Sequence, residues 1–225
     1  MTALSLVSKG DLAFLCEPAG GGAASVIVDV SEQRTNLTNN TTYCTEANSA
    51  RTAIAAPRTI CVVVDMTTGS SGFLVHHGTS AVAYKYAISK SGTNIRLSEN
   101  AAVILTVAVP GLAAAARKFL IHWAQRPDGA FNFNECVIYN FATAAWVFGS
   151  VTATAITPVS TDTFTIGATT TGTSAYSLGM TAFYTVAVGR RFHSTTESVI
   201  DHVAVPTPPS MPGRRRTPRI TRAPT

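Results

Sequence analysis

Charge is scarce in this sequence of 225 residues: 13% are Asp, Glu, Lys or Arg, against 46% hydrophobic. That balance excludes a disordered chain, which needs few apolar residues and many charges. The length suits one domain with a tail, and a body of this size buries a core without disulfides or metals. Long apolar runs are also missing. The most apolar stretch, residues 101–116, is too short for a membrane span and is broken by Thr106, Pro110 and Gly111. No membrane partner is expected. Cysteine appears only at Cys16, Cys44, Cys61 and Cys136, with no CxxC pair, which argues against zinc. The start, MTALSLVSKGDLAFL, lacks the basic and apolar regions of a signal peptide. Four buried free thiols are therefore expected. The sequons at Asn36, Asn39 and Asn40 would matter only in a secreted chain.

Catalytic patterns are equally sparse. Glycoside hydrolysis needs two carboxylates flanking one bond. On a strand they must be spaced to share a face. No three of the twelve acidic residues have such spacing; Asp29 and Glu32 come closest and lead into a polar loop. No G-x-S-x-G nucleophile elbow is present. His76 and His77 are adjacent, so in a strand they face opposite ways and cannot share a metal. His122 sits in an apolar segment and reads as a core or interface residue. His193 and His202 have no Cys or His at ligand spacing. Asp128 and Asp162 fall in turns and read as turn formers before calcium ligands. The expectation is a non-enzyme with no cofactor and no metal.

What charge there is sits unevenly. The chain has 17 Lys and Arg and 12 Asp and Glu, and the last acid is Asp201. Five arginines follow it: Arg214, Arg215, Arg216, Arg219 and Arg222. Residues 1–205 therefore hold twelve charges of each sign, and the net +5 lies in the end segment. That segment, PTPPSMPGRRRTPRITRAPT, has no large apolar cluster and should be extended. Its arginines suit bidentate pairing with carboxylates on a protein partner. Nucleic acid is the less favoured partner, since no aromatic is present to stack on bases. The domain reading is a body of residues 1–205 and a basic arm of residues 206–225.

The body reads as all-β. Apolar segments are short, rich in Val, Ile, Thr and aromatics, and separated by turn residues. Residues 59–66 (TICVVVDM) suggest a strand covered on both faces. In residues 81–89 a period of two places Val82, Tyr84, Tyr86 and Ile88 on one face. In residues 118–125 Phe119, Ile121 and Trp123 share a face. Arg126-Pro-Asp-Gly129 reads as a turn. Further strands are read at 73–77, 94–98, 103–109, 135–140, 146–151, 163–167 and 179–188. Trp123 and Trp146 are assigned to the core rather than to sugar stacking. Ser194-Thr-Thr-Glu197 has the form of a capping box and opens one short helix that must end before Pro206.

Phe164, Ile166 and Gly167, then Gly179 and Met180, then Arg191, Ser194 and Glu197, follow in an order that resembles the closing part of concanavalin A-like, laminin-G-like jelly-roll domains. Residues 119–123 with Asp128-Gly129 resemble that family's central strand and hairpin. The resemblance implies an antiparallel jelly-roll β-sandwich. The architecture also resembles small lectin-like virion proteins of actinobacterial tailed phages. This implies a capsid decoration protein in the virion, bound to the major capsid or another virion protein through Arg214, Arg215, Arg216, Arg219 and Arg222. A homo-oligomer and outward contact with host glycans are expected with it. A minor tail protein or lectin-type carbohydrate-binding module is the alternative. A jelly-roll coat protein with a nucleic-acid-binding arm is the second.

Overall fold

The computed structural model describes residues 12–16, 44–46, 52–69, 71–80, 82–167 and 180–189. Twelve strands form there: β1 (Leu12–Cys16), β2 (Cys44–Glu46), β3 (Arg58–Met66), β4 (Gly72–Ser80), β5 (Ala83–Ser91), β6 (Asn94–Glu99), β7 (Ala102–Ala108), β8 (Arg117–Asp128), β9 (Phe131–Asn140), β10 (Ala145–Thr154), β11 (Thr163–Ile166) and β12 (Met180–Gly189). They pair into two six-stranded sheets, in the orders β1-β12-β3-β8-β9-β10 and β2-β11-β4-β5-β6-β7. Every pairing is antiparallel. This is the jelly-roll sandwich that the sequence implied. Among the described residues there is no helix. The capped segment 194–203 and the whole arm 206–225, with its five arginines, lie outside them.

The two inner faces meet as one core. The first sheet supplies Ile60, Val62, Val64, Phe119, Ile121, Trp123 and Ile138; the second supplies Tyr86, Ile88, Ile95, Leu97, Phe164 and Ile166. These side chains, all β-branched or aromatic except Leu97, fill a layer about 10 Å thick between pleated faces. As residues 59–66 suggested, β3 is buried along both faces, apart from one half-buried position. β8 is also buried on both faces from Phe119 to Gln125. His122 is among those buried residues, as expected of it.

Hairpin chemistry follows the φ angles. Gly92 and Gly129 have φ of 57° and 63° and open two-residue reversals. Here the sequence reading shifts: β8 runs straight through Arg126, Pro127 and Asp128, and the chain reverses at Gly129 and Ala130. Glycine at the first central position supplies the positive φ that such hairpins need. Cys61 and Cys136 are free and buried, and burial raises both thiols, Cys136 to about 12.

Candidate functional site

Gly78 on β4 sets the geometry at one rim of the second sheet. It pairs with Tyr84, and the register shifts on either side of it. A Cβ at Gly78 would lie 2.4 Å from Tyr84 Cα and 2.6 Å from the Ala83 carbonyl oxygen. Only glycine permits that approach. The resulting bulge turns Tyr84 off the core face that Tyr86 and Ile88 occupy, because bulged residues re-aim their side chains. The expectation that Tyr84 and Tyr86 share a face is corrected accordingly. Tyr86 stacks on His77, with centroids 4.9 Å apart, whereas Tyr84 contacts His76 at 5.0 Å.

Next to this bulge the β6–β7 hairpin turns through Asn100 and Ala101, with φ of 46° and 61°. Both central residues are left-handed, the pattern of a type I′ turn. The Asn100 amide donates to the Lys85 carbonyl over 2.9 Å, which fixes the hairpin against the bulge. Asp162, just before β11, closes the third side. Its amide donates to the Val159 carbonyl. Together Thr79, Tyr84, Lys85, Asn100, Ala101 and Asp162 line an open hollow of about 310 Å³. Burial raises the Asp162 carboxyl, and the Lys85 charge opposes that rise. The hollow thus offers a carboxyl, an ammonium, an amide, two hydroxyls and one aromatic ring.

A buried polar clasp lies inside the same end of the sandwich. His77 Nδ1 is 3.8 Å from Asp162 Oδ2. The His77 ring stacks on Tyr86, whose hydroxyl donates to the Thr52 carbonyl over 2.8 Å. The Arg58 guanidinium sits over the Tyr86 ring at 4.1 Å and 5.3 Å from the Trp123 ring. It is fully buried and donates to Glu99 Oε1 over 3.4 Å and to the Ile54 carbonyl over 3.1 Å. Gln125 donates to both Glu99 and Asn134, and Trp123 donates to Asn134 over 2.9 Å. Burial lowers Arg58 and raises Glu99, while each partner's charge works against the shift. Glu99 is 3% exposed, and its Oε1 is engaged by Arg58 and Gln125. The clasp is a way of tying the two sheets together at the end where the hollow opens.

A second feature lies on the flank formed by β7 and β10. Trp146 is 58% exposed and Phe148 45%. Both point away from the core, since Val147 packs inward between them. This overturns the core assignment of Trp146; Trp123, in contrast, is fully buried. Tyr139 pairs with Trp146 and meets Phe141 edge-on at 5.1 Å. Four aromatics therefore gather at one margin of the first sheet.

Of the other singled-out residues, Asp128 is exposed at the end of β8 and Asp162 is buried at the hollow. Among the described residues no three His, Cys, Asp or Glu side chains converge as metal ligands would. Arg214, Arg215, Arg216, Arg219 and Arg222 lie outside the described residues, as do His193 and His202.

No protein-family model matches the chain, and no curated protein matches it. Among solved structures it is similar to the K499G mutant of NanB sialidase from Streptococcus pneumoniae, at 12% identity and a TM-score of 0.54, over 84% of this chain and 28% of that one. It is also similar to the leech intramolecular trans-sialidase complexed with 2,7-anhydro-Neu5Ac, at 11% identity and a TM-score of 0.51, over 84% of this chain and 27% of that one. A weaker likeness, with a TM-score of 0.42 and 15% identity, joins it to the CBM40 of the Ruminococcus gnavus IT-sialidase bound to α2,3 sialyllactose, over 65% of this chain and 82% of that one. The chain spans less than a third of the two sialidases. At these identities the likeness to the two sialidases establishes the fold, a β-sandwich, and not the chemistry.

Proposed function

We propose that this chain is a non-catalytic binding module of a virion. It is a capsid decoration protein whose sandwich contacts host glycans at the rim hollow, and residues 206–225 attach it to the capsid lattice. The observation that carries the glycan part is the hollow itself. Sugar recognition calls for a concavity with convergent hydrogen-bonding groups and an aromatic face. Asp162, Asn100, Lys85 and Thr79 supply the first, and Tyr84 supplies the second. The sandwich fold is compatible with the reading but does not choose the ligand.

The virion part rests on the sequence: the likeness to lectin-like phage proteins, and a neutral body joined to a five-arginine arm. A proline-stiffened arm loses less entropy on docking than a flexible linker would. A minor tail position is the alternative on the same grounds.

Retention on columns of host envelope polysaccharides tests the glycan part. The wild-type chain should be retarded on one of them, and Tyr84→Ala and Lys85→Ala should each abolish the retardation. Equal retention of both variants would reject the hollow as the site. For the virion part, copy number in purified particles decides: parity with the capsid lattice supports decoration, a few copies support the tail, and absence rejects both. Deleting residues 206–225 should leave a folded body that no longer joins the particle.

A further inference from the structure

Two strands end their sheets on one flank: β10 closes the first sheet and β7 the second. The edges sit against each other across the sandwich. A Cβ at Gly149 of β10 would lie 2.9 Å from Val107 Cγ2 and 3.6 Å from Leu105 Cδ1, both on β7. Among the described residues no strand pairs with the outer side of β10.

Sheet edges carry a row of unpaired amides and carbonyls, and monomeric proteins guard them. They use charges, prolines, very short strands or a covering loop. β10 is ten residues long and reads AWVFGSVTAT, with no charge and no proline. β7, AVILTVA, has none either. The charge gap is wider than the strands: no charged residue lies between Glu99 and Arg117, nor between Glu135 and Asp162. On this edge, unpaired among the described residues, stand Trp146 at 58% exposure, Phe148 at 45% and, on β7, Val103 at 51%.

We infer that β10 is an assembly edge and that its occupant is a second copy of this chain, paired antiparallel through β10 about a two-fold axis. Three observations favour that occupant. Edge strands without charge select a partner edge without charge, and β10 of a second copy is one. Residues 1–205 carry equal numbers of each charge, so two bodies meet without net repulsion. The chain's own end segment does not qualify, because residues 206–225 hold prolines that cannot complete a ladder. Antiparallel strands related by a two-fold give an isologous contact, the commonest closed symmetry. Strand parity then sets the result. Trp146, Phe148, Ser150 and Thr152 of both copies lie on one continuous outer face, and Val147, Gly149 and Val151 lie on the inner one.

The test is the solution mass of the full chain by sedimentation velocity, across a dilution series, with hydrogen exchange read by mass spectrometry. The wild-type chain should sediment as a dimer at the concentrated end, with slow exchange in residues 145–154 that becomes fast on dilution. Phe148→Lys places a charge on the edge and should yield a monomer with native circular dichroism. Thr152→Lys, which removes no apolar contact, should do the same and covers the case in which Phe148→Lys does not fold. A wild-type chain that stays monomeric at its solubility limit overturns the proposal. So does a dimer that both lysine variants leave intact, or one whose residues 145–154 exchange at the monomer's rate. A monomer whose Trp146 emission shifts on adding a host polysaccharide also overturns it, since the flank would then be a sugar platform.

Discussion

His76 offers a prediction in which both sign and size come from the fold. The side chain is fully buried on the outer side of the second sheet, with Phe73 at 5.2 Å and 85° and Tyr84 at 5.0 Å and 58°. Burial among these rings disfavours the imidazolium and pushes the group from 6.5 down to about 4, although a backbone hydrogen bond with Ser80 offsets part of the shift. A folded value below the unfolded one means that neutral His76 stabilises fully above 6.5. The contribution is lost as pH falls from 6.5 through about 4. Each unit is worth about 1.4 kcal/mol, so acidification from neutrality to about pH 4.5 should remove roughly 2.5 kcal/mol. Glu99 and Asp162 act oppositely. Burial raises both carboxyls, so their charged forms cost stability as pH rises, and acidification relieves it. The pH dependence of the wild-type chain alone therefore mixes the two effects. His76→Phe isolates the first. Urea unfolding followed by tryptophan emission, at neutral pH and near pH 4.5, should show the variant gaining roughly 2.5 kcal/mol on the wild type as pH falls. Buried Trp123 serves as a native-state reporter. A stability gap that is the same at both pH values would refute the argument, as would an imidazole titrating near 6.5 by NMR.

Other consequences are as direct. Gly78→Ala drives a methyl into Tyr84 and Ala83 backbone and should cost about 1–3 kcal/mol in chemical denaturation while also abolishing retention on the polysaccharide column. Ala101→Gly relieves a left-handed alanine at φ 61° and should stabilise by about 1 kcal/mol, read as a raised Tm. Glu99→Leu leaves the Arg58 guanidinium buried without its acid and should cost about 3–5 kcal/mol, whereas the double change Arg58→Met with Glu99→Leu should recover most of that loss in the same urea assay.

The strands of the sandwich were legible because β-branched runs and turn residues mark them locally. The hairpin at Gly92 shows this well. The turn read at Arg126-Pro-Asp-Gly129 was off by two residues, because proline can sit inside a strand where only one side is paired, as Pro127 does beyond the reach of β3. Trp146 was misplaced for a different reason. β10 is apolar at odd positions, Val147 and Val151, and at even ones, Trp146 and Phe148. Periodicity cannot then say which face turns inward; position at a sheet margin does, and that is a tertiary fact. Tyr84 escaped because a bulge resets the period of two, and its only local signal is Gly78. The clasp was invisible as a group: Arg58 and Glu99 are 41 residues apart, and Gln125 and Glu99 are 26. None of the three carries a motif, since each is a single polar residue at or near a strand end.

The strand order also governs when the fold can exist. β4 to β7 form a chain of neighbouring hairpins, and so do β8 to β10, so each set closes over short loops. β3 is different. It lies between β8 and β12, and β12 in turn bridges β3 to β1. Its second ladder must wait for Met180–Gly189, more than a hundred residues further along. Such distant pairing carries a large loop-closure cost and slows folding. During synthesis the two hairpin sets would assemble first, with one side of β3 open. The sandwich locks only when β12 slots between β1 and β3, so the last described strand acts as a keystone whose arrival commits the whole chain.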